Sequence, residues 1–393
     1  MNPRSVTPRV PEPPRVLMCI TAYNGREFLP RTLRSVTAMD REGIDLDLLV
    51  LDDHSPEPGW SAELERLCAA AGVGYYCSPR NLGIPRNVNL GLARGVSGGY
   101  DYVIICNSDI IVPGGLVKDL VGCVQSEETI GTVTALSNNV SLYSVPNSDP
   151  DLFLADQDIV NWISAGLAGL FSHNVMDIPA GISFCIIVPT AVISDIGLMD
   201  PVFGRGYCEE TDFTLRSRRA GYRIGLAPGV FVYHQGGGSN VEAGLLSHGE
   251  TTVPANEAII DLRYPQFRSQ VAAFSSSGLL EKMHADVITK ILAEGGRQFG
   301  YRVDFGWVAR KAADPRQVNV QVIPDARSEM RITMLGFEHR IELHEGDDVA
   351  ALLRAFFHRA PASVSIDSLA GRTFSWSDDS VRRDDRLAYP ARV

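Results

Sequence analysis

The chain has 393 residues, 45% of them apolar, and a formal net charge of -11. That length asks for more than one ordinary core, so two domains, or one large domain with an appendix, are expected. An acidic chain without a Lys/Arg-rich block argues against non-specific nucleic-acid binding, but leaves room for a small anionic ligand in a local site.

In chain order, residues 1–14 are Pro-rich without an apolar core and read as a disordered leader, neither signal peptide nor anchor. An alternation follows. "RVLMCI" (15–20) precedes a helix-like segment from Gly25 to Ala38, and "LDLLVL" (46–51) precedes "SAELERLCAAAG". "VGYYC" (73–77) precedes "PRNVNLGLARG", and "YDYVIIC" (100–106) precedes "GGLVKDLVGCVQ". Short apolar β-type runs between helical patterns predict βαβ units and a mostly parallel sheet buried on both faces. Residues 137–178 are irregular apart from the apolar helical stretch "IVNWISAGLAGLF", and a Ser/Asn/Pro-rich insertion of this kind suits a substrate pocket. "ISFCIIVP" (182–189) returns to strand character, 207–240 holds a helix, a strand and a Gly-rich loop, and the pattern weakens over 245–275. From Gly278 the character shifts to a helix, "LLEKMHADVITKILAEGG", then half-buried strands ("QVNVQVIP", "RITMLGF", "RIELHE", "SVSIDSL") around a second helix, "DDVAALLRAFFHRA". The expected division is a leader over 1–14, an α/β domain over 15–275 and a small α+β domain over 278–393.

No apolar run reaches the roughly 18 residues of a membrane-spanning helix. The seven cysteines lack paired spacing, which opposes a disulfide framework or a zinc site, and Cys19, Cys106 and Cys185 read as small core residues. A reducing cytoplasm fits best, with a peripheral place at the inner membrane face compatible with it.

Ligands of parallel α/β sheets bind beyond the carboxyl ends of the strands. Four predicted strands end in polar, turn-prone residues: Thr21-Ala22-Tyr23-Asn24-Gly25, Asp52-Asp53-His54-Ser55, Arg80-Asn81-Leu82-Gly83 and Asn107-Ser108-Asp109. An Asp after a strand is ordinarily a turn or capping residue. Asp109, however, shares its edge with Asp52 and Asp53, and converging carboxylates invite a hard divalent cation such as Mg2+ or Mn2+. Further on, "CEETDF" places Glu209, Glu210 and Asp212 at a predicted helix start, with Arg216 at i,i+4 from Asp212. Alone it reads as a solvated, ion-paired helix start. His234, before three glycines, ends a strand or serves as a metal ligand.

Taken together, "TAYN", "LDDHS", "RNLGIPRNVNLGL", "CNSD", "YCEETDFTLRSRRAGYRI" and "VYHQGGGS" resemble, in order and spacing, the motifs of family 2 glycosyltransferases of the GT-A fold, bacterial type, over about residues 15–240. The resemblance implies a nucleotide-sugar donor of the UDP or dTDP class and a carbohydrate, glycolipid or other hydroxyl acceptor. It places Thr21, Tyr23, Asn24, Asp52, Asp53, Asn81, Arg86, Asn107 and Ser108 around the nucleotide sugar, and Asp109 and His234 on the divalent cation. Glu210 would be the general base, with Glu209 and Asp212 in the acceptor site. Two positions depart from the family: Asn107 stands for the first Asp of its DxD motif, and Glu210 for the Asp of its ED segment. Two alternatives stand beside this reading: a sugar-1-phosphate nucleotidyltransferase, which "TAYNGREFL" opposes for want of a Gly run, and a non-catalytic nucleotide-sugar-binding module. The C-terminal domain, with no catalytic constellation, would dock the acceptor or form a homo-oligomer.

Overall fold

A computed structural model describes residues 12–140, 142–146, 153, 155–236, 253–306, 314–323, 329–344 and 346–366. Most of the expected leader and the glycines after Gly236 therefore lie outside the described residues. The chain divides into two compact units, one of residues 1–135, 173–230 and 236–271, the other of residues 136–172, 231–235 and 272–393.

The alternation predicted from sequence is present. Strands β1 (Arg15–Ala22), β2 (Asp45–Asp52), β3 (Gly74–Cys77) and β4 (Tyr102–Cys106) are separated by helices α1 (Leu29–Thr37), α2 (Trp60–Ala70) and α3 (Ile84–Ser97). β5 (Ile110–Ile111), α4 (Leu116–Gln125), β6 (Ile130–Ser137), α5 (Gln157–Phe171), β7 (Met176–Asp177), β8 (Cys185–Pro189), α6 (Thr190–Ile196), α7 (Glu209–Arg219) and β9 (Arg223–His234) follow. They form one sheet in the order β3-β2-β1-β4-β8-β6-β9-β5, with β7 on β9. β1 runs parallel to β2 and β4, and β2 parallel to β3. β8 is antiparallel to β4 and β6. This is the expected α/β class, a mostly parallel central sheet flanked by helices, with antiparallel strands on one side that apolar runs alone do not reveal.

The parallel strands are continuously apolar because helices cover them: Leu17, Cys19, Leu49, Leu51, Val103 and Ile105 pack with Val88 and Leu92 of α3 in one buried cluster. Close approach of α3 depends on two glycines. A Cβ at Gly91 would lie 2.7 Å from Cys19 Sγ, and one at Gly95 would lie 2.1 Å from Val103 Cγ2. All seven cysteines are free thiols, and Cys19, Cys106 and Cys185 are buried as the sequence suggested.

The weak pattern over 245–275 conceals two helices, α8 (Val253–Arg263) and α9 (Phe267–Ser276). The reason is visible in their burial: α8 buries only Asn256 and Ile260, and α9 buries nothing, so neither writes an apolar stripe into the sequence. The first helix also starts later than expected, because Gly25 (φ +93°) opens a turn in which the Phe28 and Leu29 amides return to its carbonyl.

The second unit holds α10 (Leu279–Phe299), β10 (Tyr301–Phe305), β11 (Val318–Ile323), β12 (Glu329–Met334), β13 (Phe337–Glu342), α11 (Val349–Phe357) and β14 (Ser363–Ile366). Its sheet runs β13-β12-β11-β10-β14. Asp348 caps α11 by accepting from the Ala350 and Ala351 amides.

The two kinds of helical glycine give opposite signs on substitution. Gly95→Ala overpacks Val103 and should destabilise by about 1–3 kcal/mol despite the better helix propensity. Gly169→Ala in α5, where a Cβ meets nothing within 4 Å, should stabilise by up to about 1 kcal/mol. Urea unfolding of both variants checks this, and equal signs would refute the packing argument.

Candidate functional site

Register brings the four polar strand ends together. Ala22 lies opposite Asp52, Asp52 opposite Cys77, and Ile20 opposite Cys106, so the segments that follow leave the sheet side by side. Thr21 Oγ1 donates to the Cys106 carbonyl at 3.2 Å, and Tyr23 is half-buried just beyond. Asn24 holds a left-handed backbone (φ +56°). Its amide donates to Ser55 Oγ at 2.8 Å and its carbonyl accepts from Trp60 Nε1 at 2.8 Å, which makes it the knot of that turn.

The carboxylates beside it do not need a cation to coexist, contrary to the sequence argument. Asp52 is fully buried and accepts from the amide and hydroxyl of Ser55 (2.9 and 2.7 Å), from Ser61 Oγ (2.7 Å) and from Tyr75 Oη (2.8 Å). Asp53 accepts from the Leu82 and Gly83 amides at 2.7 and 2.9 Å. Its carboxyl is raised from the usual range by burial and less so by Asp52, against those two amides and the Arg205 guanidinium, which favour the anion. Protein donors thus absorb the charge that a cation was expected to absorb.

Asp53 thereby fixes the turn that carries Asn81 (half-buried) and leads to Arg86 (exposed). Gly83 (φ +81°) sits so close to the backbone of Gly204 that a Cβ would lie 2.6 Å from its carbonyl oxygen. The Ile84 amide donates to the Arg205 carbonyl at 3.0 Å, and Arg86 Nη1 to the Gly204 carbonyl at 3.4 Å. These contacts join the strand-end turn to the segment leading into α7.

At the mouth of β4 the Asn107 amide donates to the Phe184 carbonyl at 2.8 Å, and the Ser108 carbonyl accepts from Thr32 Oγ1 at 2.6 Å. Asp109 is 1% exposed, and its Oδ2 accepts from the Gly236 amide at 3.1 Å. His234 ends β9, and its Nδ1 lies 2.6 Å from the Asn139 carbonyl, so Nδ1 carries a proton and donates there. Among the described residues no group of three His, Cys, Asp or Glu is placed to hold a metal ion. Asp109, a buried carboxylate, is the oxygen donor of the type a Mg2+-like ion takes at this strand end.

The acidic segment is the most perturbed part of the site. Tyr207 and Cys208, both at φ +71°, aim the chain into α7. Glu209 is buried, with Oε2 lacking a hydrogen-bond partner, and Glu210 is half-buried beside it. Burial pushes the Glu209 carboxyl well above the usual range, with the neighbouring Glu210 adding to it; burial also raises Glu210, while a hydrogen bond from Glu209 favours its anion. Both acids are thus biased toward the protonated form, Glu209 the more strongly. The Cys208 thiol, pushed up to about 12 chiefly by burial, is no nucleophile.

Asp212, fully buried, has the opposite surroundings. Arg216 Nε binds it at 2.9 Å, the i,i+4 pair legible in the sequence. Arg263 Nη1 (2.8 Å) and Tyr264 Oη (2.9 Å) complete its shell. Nothing in the sequence pattern signalled these last two, because Arg263 ends a helix without an apolar stripe and Tyr264 follows it.

With this geometry in view, the comparisons with known proteins are specific. Residues 18–162 match the model of the family described as "Glycosyl transferase family 2". Over those residues the chain is thus similar to family 2 glycosyltransferases. The chain is 23% identical over 259 residues to an undecaprenyl-phosphate mannosyltransferase of Micrococcus luteus, covering 65% of this chain and 99% of that protein. Among solved structures it is similar to a mannosyltransferase, PcManGT, from Pyrobaculum calidifontis in complex with GDP-Man and Mn2+. The identity is 15%, covering 74% of this chain and 79% of that one, with a TM-score of 0.44. It is also similar to GalNAc-T7 with UDP, GalNAc and Mn2+, at 12% identity, 85% and 68% coverage and a TM-score of 0.49. No helix among the described residues is long and apolar enough to cross a membrane.

A raised carboxyl has a stability signature. The folded Glu209 keeps a proton that the unfolded chain releases above the ordinary carboxylate range, so stability is lost as pH rises above that range. Glu209→Gln mimics the protonated form and should raise the urea midpoint at pH 8 while leaving it near the parent value at pH 4. A midpoint that falls at pH 8 would mean that Glu209 is an ordinary ionised acid.

Proposed function

We propose that the first unit transfers a sugar from a nucleoside-diphosphate sugar to an acceptor hydroxyl, with Glu210 as general base and inversion at the anomeric carbon. The observation that supports it most is the Glu209–Glu210 pair, buried and half-buried, joined through Gly204 and Arg205 to the strand-end turn.

In this reading Thr21, Tyr23, Asn24, Asn81 and Arg86 receive the nucleotide, while Asp52 and Asp53 shape the turns from beneath. Asn107 and Ser108 line the diphosphate end. Asp109 would hold a divalent cation, Mn2+ or Mg2+, which when bound neutralises charge on the departing diphosphate. Glu210 accepts the proton of the acceptor hydroxyl as its oxygen attacks the anomeric carbon; one base on the face opposite the leaving group corresponds to a single displacement. Glu209, keeping its own proton, orients Glu210 by hydrogen bond. Asp212, bound to two arginines and a tyrosine, is braced rather than reactive.

The base also bears on the acceptor. A lipid phosphate, the acceptor named for the Micrococcus luteus relative, is already ionised near neutral pH and needs no proton taken from it. A carboxylate kept in water-poor surroundings with a raised pKa has a use only toward a hydroxyl, which favours a carbohydrate or glycolipid acceptor. The second unit would serve acceptor docking or self-association.

Thermal shift with a panel of GDP-mannose, UDP-glucose, UDP-N-acetylgalactosamine and dTDP-rhamnose, each with and without Mn2+, should reveal one stabilising donor. Asp109→Ala should abolish the Mn2+-dependent part of that shift; equal donor affinity with and without metal in the parent would refute the assigned role. Glu210→Gln should leave donor affinity nearly unchanged and cut transfer by at least ~10²-fold. Transfer at the parent rate in Glu210→Gln would move the base elsewhere.

A further inference from the structure

Just before α7 the chain makes a loop from Phe203 to Cys208, closed within itself by one backbone bond, from the Gly206 amide to the Phe203 carbonyl at 3.1 Å. It is strained: Gly204 and Gly206 have φ +62° and +139°, and Tyr207 and Cys208 take left-handed values unusual for residues with a Cβ. Such a conformation persists only where the surroundings over-determine it.

One side chain does most of this. Asn256, on α8 and 5% exposed, directs its amide nitrogen at three carbonyls of the loop: Phe203 at 3.1 Å, Gly206 at 2.7 Å and Tyr207 at 2.9 Å. Two N–H groups serve three acceptors, so one bond is shared. On the loop's other side, the Arg205 carbonyl accepts from Ile84 and the Gly204 carbonyl from Arg86, within the turn that Asp53 holds. The same helix grips α7 at its far end. Arg263 bridges Asp212 and Asp200, and Arg219 donates to the Arg263 carbonyl while stacking over Tyr264.

We infer that Asn256 is a positioning residue: it fixes the Phe203–Cys208 loop and through it the direction in which the Glu209–Glu210 pair faces the strand-end turn. The inference rests on the proposed transferase reading only for its catalytic consequence; the positioning itself is a property of the fold. A loop held at three carbonyls from one side and two from the other has little freedom to rotate, and α7 begins at its last residue. The charged and titratable groups around Glu210 are Glu209 on its own helix and Tyr207 and Cys208 on the loop. Glu257 of α8 and Arg268 of α9 act on the Cys208 thiol.

Asn256→Ala and the isosteric Asn256→Asp, which keeps the shape but loses the donor, test this against Ile260→Ala. The control loosens the same helix through packing alone, since Ile260 belongs to the buried cluster with Phe203, Leu215 and Tyr264. Carboxyl titration by 13C NMR of glutamate-labelled protein, free of donor, reads the position of the pair without activity. Both Asn256 variants should displace the titration of Glu209 and Glu210, and Ile260→Ala should leave it in place even as its melting temperature falls. With the panel donor that the parent turns over, kcat should fall at least ~10-fold at unchanged donor KM, because small misplacement of a catalytic group is costly. An unmoved titration in both Asn256 variants, or the same displacement in Ile260→Ala, overturns the inference. A displaced titration in a parent that transfers no sugar leaves the inference standing and removes the transferase reading.

Discussion

The hydrogen bonds from the Leu82 and Gly83 amides to the Asp53 carboxylate are the constraint on which the rest of the site depends. They turn the chain after β3 so tightly that Gly83 meets the Gly204 backbone at a distance that admits no side chain. From that meeting point the geometry propagates both ways, through Ile84 and Arg86 into α3 and through the Phe203–Cys208 loop toward the acidic helix. A carboxylate accepting two backbone amides is well suited to this, because charge-assisted bonds are short, directional and roughly twice as strong as neutral ones. Asp52 does similar work for the neighbouring turn with three hydroxyls and an amide. Two acids that a motif reading places against the ligand are thus also the framework beneath it.

Acids one turn apart on α7 are given opposite tasks by their surroundings alone. Burial biases Glu209 and Glu210 toward their protonated forms, whereas Asp212 is met by Arg216, Arg263 and Tyr264. Pairs of titratable groups whose environments push their protonation apart are how one fold separates a reacting carboxylate from a structural one. The helix dipole acts on all three and so cannot discriminate among them; burial and arginine placement do.

The legible and illegible parts of this chain divide along the same line. Apolar runs such as Val16–Ile20 and Val103–Cys106 announced the parallel sheet, because strands covered on both faces must be apolar throughout, and the turn residues at their ends announced the edge where a ligand belongs. The Asp212–Arg216 pair was legible because helical spacing fixes it. α8 was not, since its anchoring is carried by Asn256, Arg263 and Tyr264, whose partners lie 49 to 63 residues away in sequence, and no local period records such bonds. The family model likewise ends at residue 162, before the acidic helix begins, so that match says nothing of Glu209 and Glu210. The hydrogen-bond partners of Asp52 and Asp53 were hidden for a related reason. Their sequence neighbours say nothing of Tyr75, Leu82 and Gly83, which reach them from the next strand and its turn.

The way α8 is attached separates holding from aiming. Its apolar contacts, Ile260 with Phe203 and Leu215, supply adhesion, on the order of 1.5–3 kcal/mol for each buried side chain, but the hydrophobic effect has no direction. Its hydrogen bonds add only about 1 kcal/mol each net, yet each fixes an angle and a distance. A helix stuck by grease alone could slide by part of a turn at little cost. One whose Asn256 must meet three carbonyls while Arg263 meets two carboxylates is held at both ends to a single register. Register at that helix is register at the Tyr207–Cys208 turn, and so at the acids that follow it. The polar composition that hid α8 from a sequence reading is the composition a positioning element requires.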